Sequence, residues 1–168
     1  MPLGFSKEIN MTPRHIKARK ALYTLFIIYC VIMLLLLFAR SSRYFGGSYI
    51  EQLKANLNLR PFETMRRFIY VIRHNSNPYM LKFAHLNLTG NIVAFIPFGF
   101  FMPSLFAPQK KFLRFVLSSA GIIAAIELTQ LFTLRGSCDI DDLILNLTGA
   151  LLGYGIWRLT EKIKSEKS

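Results

Sequence analysis

The sequence predicts an all-α membrane protein with four transmembrane helices and an interfacial amphipathic helix in the first outer loop. Three observations lead there. The chain is 52% hydrophobic and 14% aromatic with a mean hydropathy of +0.35, more apolar than an ordinary soluble domain of 168 residues. Four windows come close to the about 20 apolar residues that cross a hydrocarbon core of roughly 30 Å. The net charge of +12 is spread around the ends of those windows.

Residues 1–20 read as a basic cytoplasmic tail carrying Lys7, Arg14, Lys17, Arg19 and Lys20. The first span, 21–39, is ALYTLFIIYCVIMLLLLFA, without a charge. It exceeds the about 7 to 15 apolar residues of a signal-peptide core and runs into FARSSR, so it is expected to stay as an anchor. In the loop 40–83, Phe62, Met65, Ile69 and Ile72 recur at three- and four-residue spacing among Arg66, Arg67 and Arg73. That pattern predicts a helix lying at the interface with its basic groups near anionic head groups, and Pro61 suits its first position. A helix packed on the bundle with a solvated basic face fits the same pattern.

The second span, 84–104, holds His85, Asn87 and Asn91 early and Pro97 and Pro103 late, which predicts a kink. The third, 112–134, opens near Arg114 and carries Glu127. The fourth, 142–159, contains Gly149 and Gly153, four apart, a spacing that lets two helix backbones approach closely in lipid. Residues 160–168 form a second basic tail. The tails and the Lys110, Lys111, Arg114 turn all fall on one side of a four-span chain, which places both termini in the cytoplasm. The outer loop is basic as well, through Arg40, Arg43, Lys54, Arg60, Arg66, Arg67, Arg73 and Lys82, so charge alone leaves the orientation open.

Several classes drop out. The basic residues are not gathered with aromatics on one soluble module, so lipid phosphates explain them better than nucleic acid. Cys30 and Cys138 make neither a disulfide framework nor a zinc pattern. Asn87 and Asn146 match a glycosylation acceptor by spelling alone, since both fall in spans. No cofactor is expected.

The stretch ELTQLFTLRGSCDIDDLILNLTG, 127–149, interrupts this apolar chain with polar groups. If a short turn at Arg135, Gly136 and Ser137 joins spans three and four, Glu127 and Gln130 share a face near its tip. Asp139, Asp142 and Asn146 then share a face where the fourth helix begins. Glu127 would lie about 10 to 12 Å below the tip, inside the outer leaflet. An ionised carboxylate there costs roughly 2.5 to 3.5 kcal/mol even on gentle insertion scales, so it is expected to be protonated, paired or wet. Arg135, Gln130 and Asn146 are the expected partners, and Asp139 suits the helix cap. With Asn91 and His85 from the second span, these side chains form either a hydrogen-bonded lock for the hairpin or an outward polar pocket for a ligand.

The phrases NLTGNIVAFIPFGFFMP and ELTQLFTLRGSCDIDDLILNLTGALLGY resemble the hallmark pair of the VanZ-like family, and NLRPF at 58–62 is similar to its short element in the first outer loop. The likeness spans roughly residues 22 to 158. Cys138 departs from it, standing where an aromatic is common. Residue by residue the resemblance points to Asn91, Pro97, Gly99, Glu127, Gln130, Arg135, Asp139, Asp142, Asn146 and Gly149. The family's namesake is linked to low-level teicoplanin resistance, so the resemblance implies an envelope protein of the bacterial cytoplasmic membrane. Its expected partners are membrane lipids, a cell-wall precursor or other lipid-linked ligand, and a membrane protein. A membrane enzyme acting on a lipid or polyprenyl carrier and a non-catalytic accessory subunit are the alternatives.

Overall fold

The computed structural model describes residues 13–38 and 47–166. Lys7 of the basic tail, Arg40 and Arg43 of the outer loop and Lys167 lie outside them. Among the described residues six helices follow in chain order: α1 (Pro13–Phe38), α2 (Tyr49–Ala55), α3 (Glu63–His74), α4 (Pro78–Leu105), α5 (Phe112–Phe132) and α6 (Ile140–Glu166). A short 3₁₀ turn, Ala107–Lys110, joins α4 to α5. Two dipeptide strands, β1 (Leu57–Asn58) and β2 (Cys138–Asp139), pair in parallel and tie the first loop to the α5–α6 turn.

Three helical segments, Ile16–Phe38, Pro78–Leu105 and Phe112–Phe132, are long and apolar enough to cross a membrane. Most of α1 faces outward with its apolar side chains exposed, Leu25, Ile27, Leu35 and Leu36 among them. It meets α4 through Phe26, which packs on Phe101 and Phe106, and through a hydrogen bond from Tyr29 Oη to the Ala94 carbonyl at 2.8 Å. Helix α4 starts at Pro78, well ahead of the apolar stretch at Ala84, because Asn77 accepts from the Tyr79 N–H and Pro78 gives up a donor that the first turn could not use. It continues through both Pro97 and Pro103.

The most extensive packing is between α4 and α6. Its physical basis is the absence of side chains. A Cβ on Gly149 would collide with the Ile92 carbonyl, one on Gly153 with the Ile96 carbonyl, and one on Gly99 with the Ala150 carbonyl. Backbone therefore lies on backbone along both helices, the close approach that small residues four apart permit. Around this contact Phe95, Phe98 and Met102 of α4 gather with Phe115 and Ile123 of α5 and Tyr154 and Trp157 of α6. Tyr154 keeps its hydroxyl satisfied on the Lys110 carbonyl at 2.7 Å.

Helix α3 corrects one expectation. Pro61 is not its first residue: the helix begins at Glu63, and Phe62 precedes it in the left-handed region at φ 65°. The reason is a distant acceptor, described below, that holds the Phe62 N–H. The apolar pattern is also shifted, since Met65, Phe68, Val71 and Ile72 are half-buried while Ile69 is exposed.

Candidate functional site

Polar groups converge at the end of the bundle where α5 stops and α6 starts. The turn between them is built by the backbone. Leu134 adopts φ 54°, the Arg135 N–H donates to the Gln130 carbonyl at 3.0 Å and the Leu134 N–H to the Leu131 carbonyl at 3.0 Å. This is the left-handed closure that ends many helices, made here without glycine. It turns the Arg135 side chain outward, exposed and outside every ion pair among the described residues. The expected pairing of Arg135 with the carboxylates is therefore corrected: its contribution is its amide.

Two groups of side chains follow. In the first, Asp139 caps α6 by accepting from the Asp141 N–H at 2.9 Å, and its other oxygen accepts from Thr64 Oγ1 at 2.6 Å and Asn58 Nδ2 at 3.3 Å. Asp141, with 0% of its surface exposed, accepts from the backbone N–H groups of Phe62 at 2.5 Å and Met65 at 2.9 Å. Asp141 thus acts as the missing cap of α3, since Phe62 offers no side-chain acceptor. Asn58 completes the knot by accepting from the Arg60 N–H at 3.1 Å.

The second group lines a cavity of about 330 Å³ between α1, α4, α5 and α6. Asn91 Nδ2 donates to Asp142 Oδ1 at 2.5 Å, Asn146 Nδ2 to Glu127 Oε1 at 3.4 Å, and Gln130 Nε2 to the Leu37 carbonyl at 2.8 Å. Glu127, Gln130 and Asn146 are buried. The Asn146 Oδ1 atom has no hydrogen-bond partner among the described residues. A larger cavity of about 620 Å³ adjoins the first, and Ser137 and Asp142 line both. Its other walls are Asn58, Thr64 and Asp139 on one side and Phe68, Val71, Met80 and Phe83 on another, with Arg60 and Arg67 also lining it.

Of the residues singled out from sequence, Asn91, Glu127, Gln130, Asp142 and Asn146 meet in one cavity, while Asp139 belongs to the neighbouring knot. His85 does not join them. It is exposed, lines neither cavity, and its carbonyl accepts from Thr89. Asn87 lines the larger cavity, its amide held by the Phe83 carbonyl at 2.7 Å. Asp141, Asn58 and Thr64 were missed. Asp141 falls outside the 139, 142, 146 helical face, and its partners lie 79 and 76 residues away, so no local spacing announces them. Asn58 had a signal in NLRPF. Among the described residues no group of three or more His, Cys, Asp and Glu side chains is placed to hold a metal ion.

Cys138 reports on this neighbourhood. Burial first, then the negative charges of Glu127 and Asp139, push its thiol above the ordinary range. The thiolate is the reactive form, so maleimide labelling of Cys138 in a Cys30→Ser background is expected to be slow at neutral pH. The rate should keep climbing at pH values where a free cysteine has levelled off. Glu127→Gln removes one of the charges and should speed labelling at pH 7; an unchanged rate would sever Cys138 from this pocket.

Long apolar helices packed backbone to backbone, with buried acids and amides gathered at one end, define a helical membrane protein. A family model described as VanZ/LLP1 matches residues 26–161, and the chain belongs to that family. Comparison with curated proteins and with solved structures finds no match.

Proposed function

We propose that this chain is a non-enzymatic envelope protein of the bacterial cytoplasmic membrane whose buried polar cavity opens outward and binds the polar end of an envelope ligand. In this reading α6 is a fourth crossing. Its 27 residues span about 40 Å, and Leu143–Trp157 carry no charge. With four crossings both termini are cytoplasmic, α3 lies at the outer interface, and the cavity sits near the outer face. The VanZ/LLP1 membership makes glycopeptide tolerance the natural phenotype to examine.

The observation that carries the proposal is the lining of the smaller cavity. A lock that only joined α5 to α6 would satisfy its own atoms, yet Asn146 leaves an acceptor unused at 3% exposure beside Glu127. Buried polar atoms in native proteins nearly always find partners, so an orphan lining a cavity suits a bound group. Glu127→Gln and Asp142→Asn are expected to abolish teicoplanin tolerance conferred by the protein, down to the level of cells lacking it. Membrane abundance, followed by immunoblot, should stay at wild type. Full tolerance in both variants would end the pocket reading.

A further inference from the structure

The end of the bundle opposite the polar cavities is basic and carries a groove of its own. Helices α4 and α6 run parallel, since Gly149 faces Ile92 and Gly153 faces Ile96, so both finish at this end, where α5 begins. Helix α1 starts here too, with Tyr23 Oη donating to the Leu105 carbonyl at 3.4 Å. Among the described residues the acids at this end are Glu161 and Glu166, and lysines hold both, Lys164 at 3.1 Å and Lys162 at 4.0 Å. Positive charge is left over.

An open groove of about 800 Å³ lies between the 3₁₀ turn and the last turns of α6, and it shares no residue with either polar cavity. Its walls are fixed. Tyr154 Oη donates to the Lys110 carbonyl at 2.7 Å and Ser118 Oγ to Gln109 Oε1 at 2.8 Å, so the turn is tied to α6 on one side and to α5 on the other. On α6, Gly155, Arg158 and Lys162 fall three and four apart and share a face. A Cβ on Gly155 would meet nothing within 4 Å, which leaves room on that face. The groove also straddles the level where α6 changes from apolar to charged. Leu143–Trp157 carry no charge, and Gly155, Trp157 and Leu159 line its apolar part. Lys110, Arg158 and Lys162 line the rest. Lys110 and Arg158 belong to no ion pair among the described residues, and Lys162 reaches Glu166 only at 4.0 Å. Glu161, the acid of the lining, is held by Lys164, which stands outside the groove.

We infer that this groove seats an acidic phospholipid, one whose phosphate is not balanced by a positive group of its own. The phosphate meets Lys110 and Arg158, and an acyl chain lies along Gly155 and Leu159. Arginine's planar fork suits phosphate oxygens, and a basic pocket between membrane helices, where hydrocarbon gives way to head groups, suits an anionic lipid. A zwitterionic lipid would bring an ammonium into the same surplus of positive charge, where like charges repel. An anion without chains would leave the apolar part of the groove unfilled.

The test is native mass spectrometry of the full chain, released from nanodiscs holding equal parts phosphatidylglycerol and phosphatidylcholine. The wild type should retain phosphatidylglycerol about ten-fold over phosphatidylcholine. Arg158→Gln should lower that preference about five-fold, the worth of one basic group beside an anionic head group, and Lys110→Gln combined with it should bring the two lipids level. Lys17→Gln removes the same charge from α1 at the same end of the bundle but outside the groove, and should leave the preference at its wild-type value. All three positions are exposed, so unfolding midpoints in detergent should match the wild type. Inorganic phosphate at millimolar concentration should not displace the lipid. Equal retention of the two lipids by the wild type, where folding is not in question, overturns the inference. So does a loss in Lys17→Gln as large as that in Arg158→Gln, the mark of diffuse surface charge, and so does displacement by inorganic phosphate, the mark of an anion site that needs no lipid.

Discussion

Gly153→Ala is expected to unseat α6 from α4, whereas Gly155→Ala, two positions on, should leave the fold intact. The two substitutions are chemically identical and sit in the same helix, so helix propensity favours both by roughly 0.5 to 1 kcal/mol. What differs is the neighbour. A Cβ at Gly153 runs into the Ile96 carbonyl and the Gly99 and Phe100 backbone, while one at Gly155 meets nothing within 4 Å. A flexible side chain could swing away from an added methyl; helix backbone cannot, short of separating the two helices. The cost should reach the upper end of overpacking penalties, about 3 kcal/mol or more. Thermal unfolding in detergent, followed by the accessibility of half-buried Cys30 and Cys138 to a thiol-reactive dye, reads it directly. Gly153→Ala should lower the midpoint by many degrees and Gly155→Ala should hold or raise it. Equal midpoints would mean that α4 and α6 do not touch through glycine. Gly149→Ala, aimed at the Ile92 carbonyl, should behave like Gly153→Ala.

The contrast between those glycines and Asp141 shows what a linear sequence carries. Gly149 and Gly153 were legible because helix packing in lipid is periodic: the spacing that matters lies within a few residues, and so it can be read along one segment. The same holds for Glu127, Gln130, Asp142 and Asn146, whose three- and four-residue intervals put them on facing helix surfaces once a tight turn joins α5 to α6. It holds also for the apolar segments that form α1, α4 and α5, because crossing lipid is a matter of composition and length. The start of α3 was not legible. Pro61 has the right local chemistry for a first helical residue, yet the amides of Phe62 and Met65 are claimed by Asp141 from the far side of the chain, and the helix starts later. Arg135 misled for a related reason. Charge complementarity names it as a partner for carboxylates, but the turn geometry needs its N–H and carries its side chain outward. His85 shares a helix with Asn91, though not its face.

Asp141→Ala should release the first outer loop from the bundle, and the effect should exceed that of any other acidic substitution in the chain. Asp141 accepts two backbone N–H groups at the start of α3, and among the described residues no other side chain caps that helix. Hydrogen bonds to a carboxylate contribute about 1.5 to 3 kcal/mol each, and stranding the donors adds their desolvation, so a loss of roughly 3 to 5 kcal/mol in the local structure is expected. Asp141→Asn keeps one acceptor oxygen but turns an NH₂ toward the second amide, so it should recover only part of that. The loop holds its own reporters in Arg66 and Arg67, both exposed and both cleavable by trypsin once the local backbone can open, whereas the Arg60–Pro61 bond resists the protease. Limited proteolysis of the purified protein should therefore show cleavage at these arginines rising about a hundred-fold in Asp141→Ala, the population shift that some 3 kcal/mol produces, while Asp142→Asn is cut at the wild-type rate. The pairing of β1 with β2 should weaken with it, because Asn58 and Thr64 reach Asp139 from the same loop. Unchanged cleavage at Arg66 and Arg67 would show that the loop is held by something other than this carboxylate.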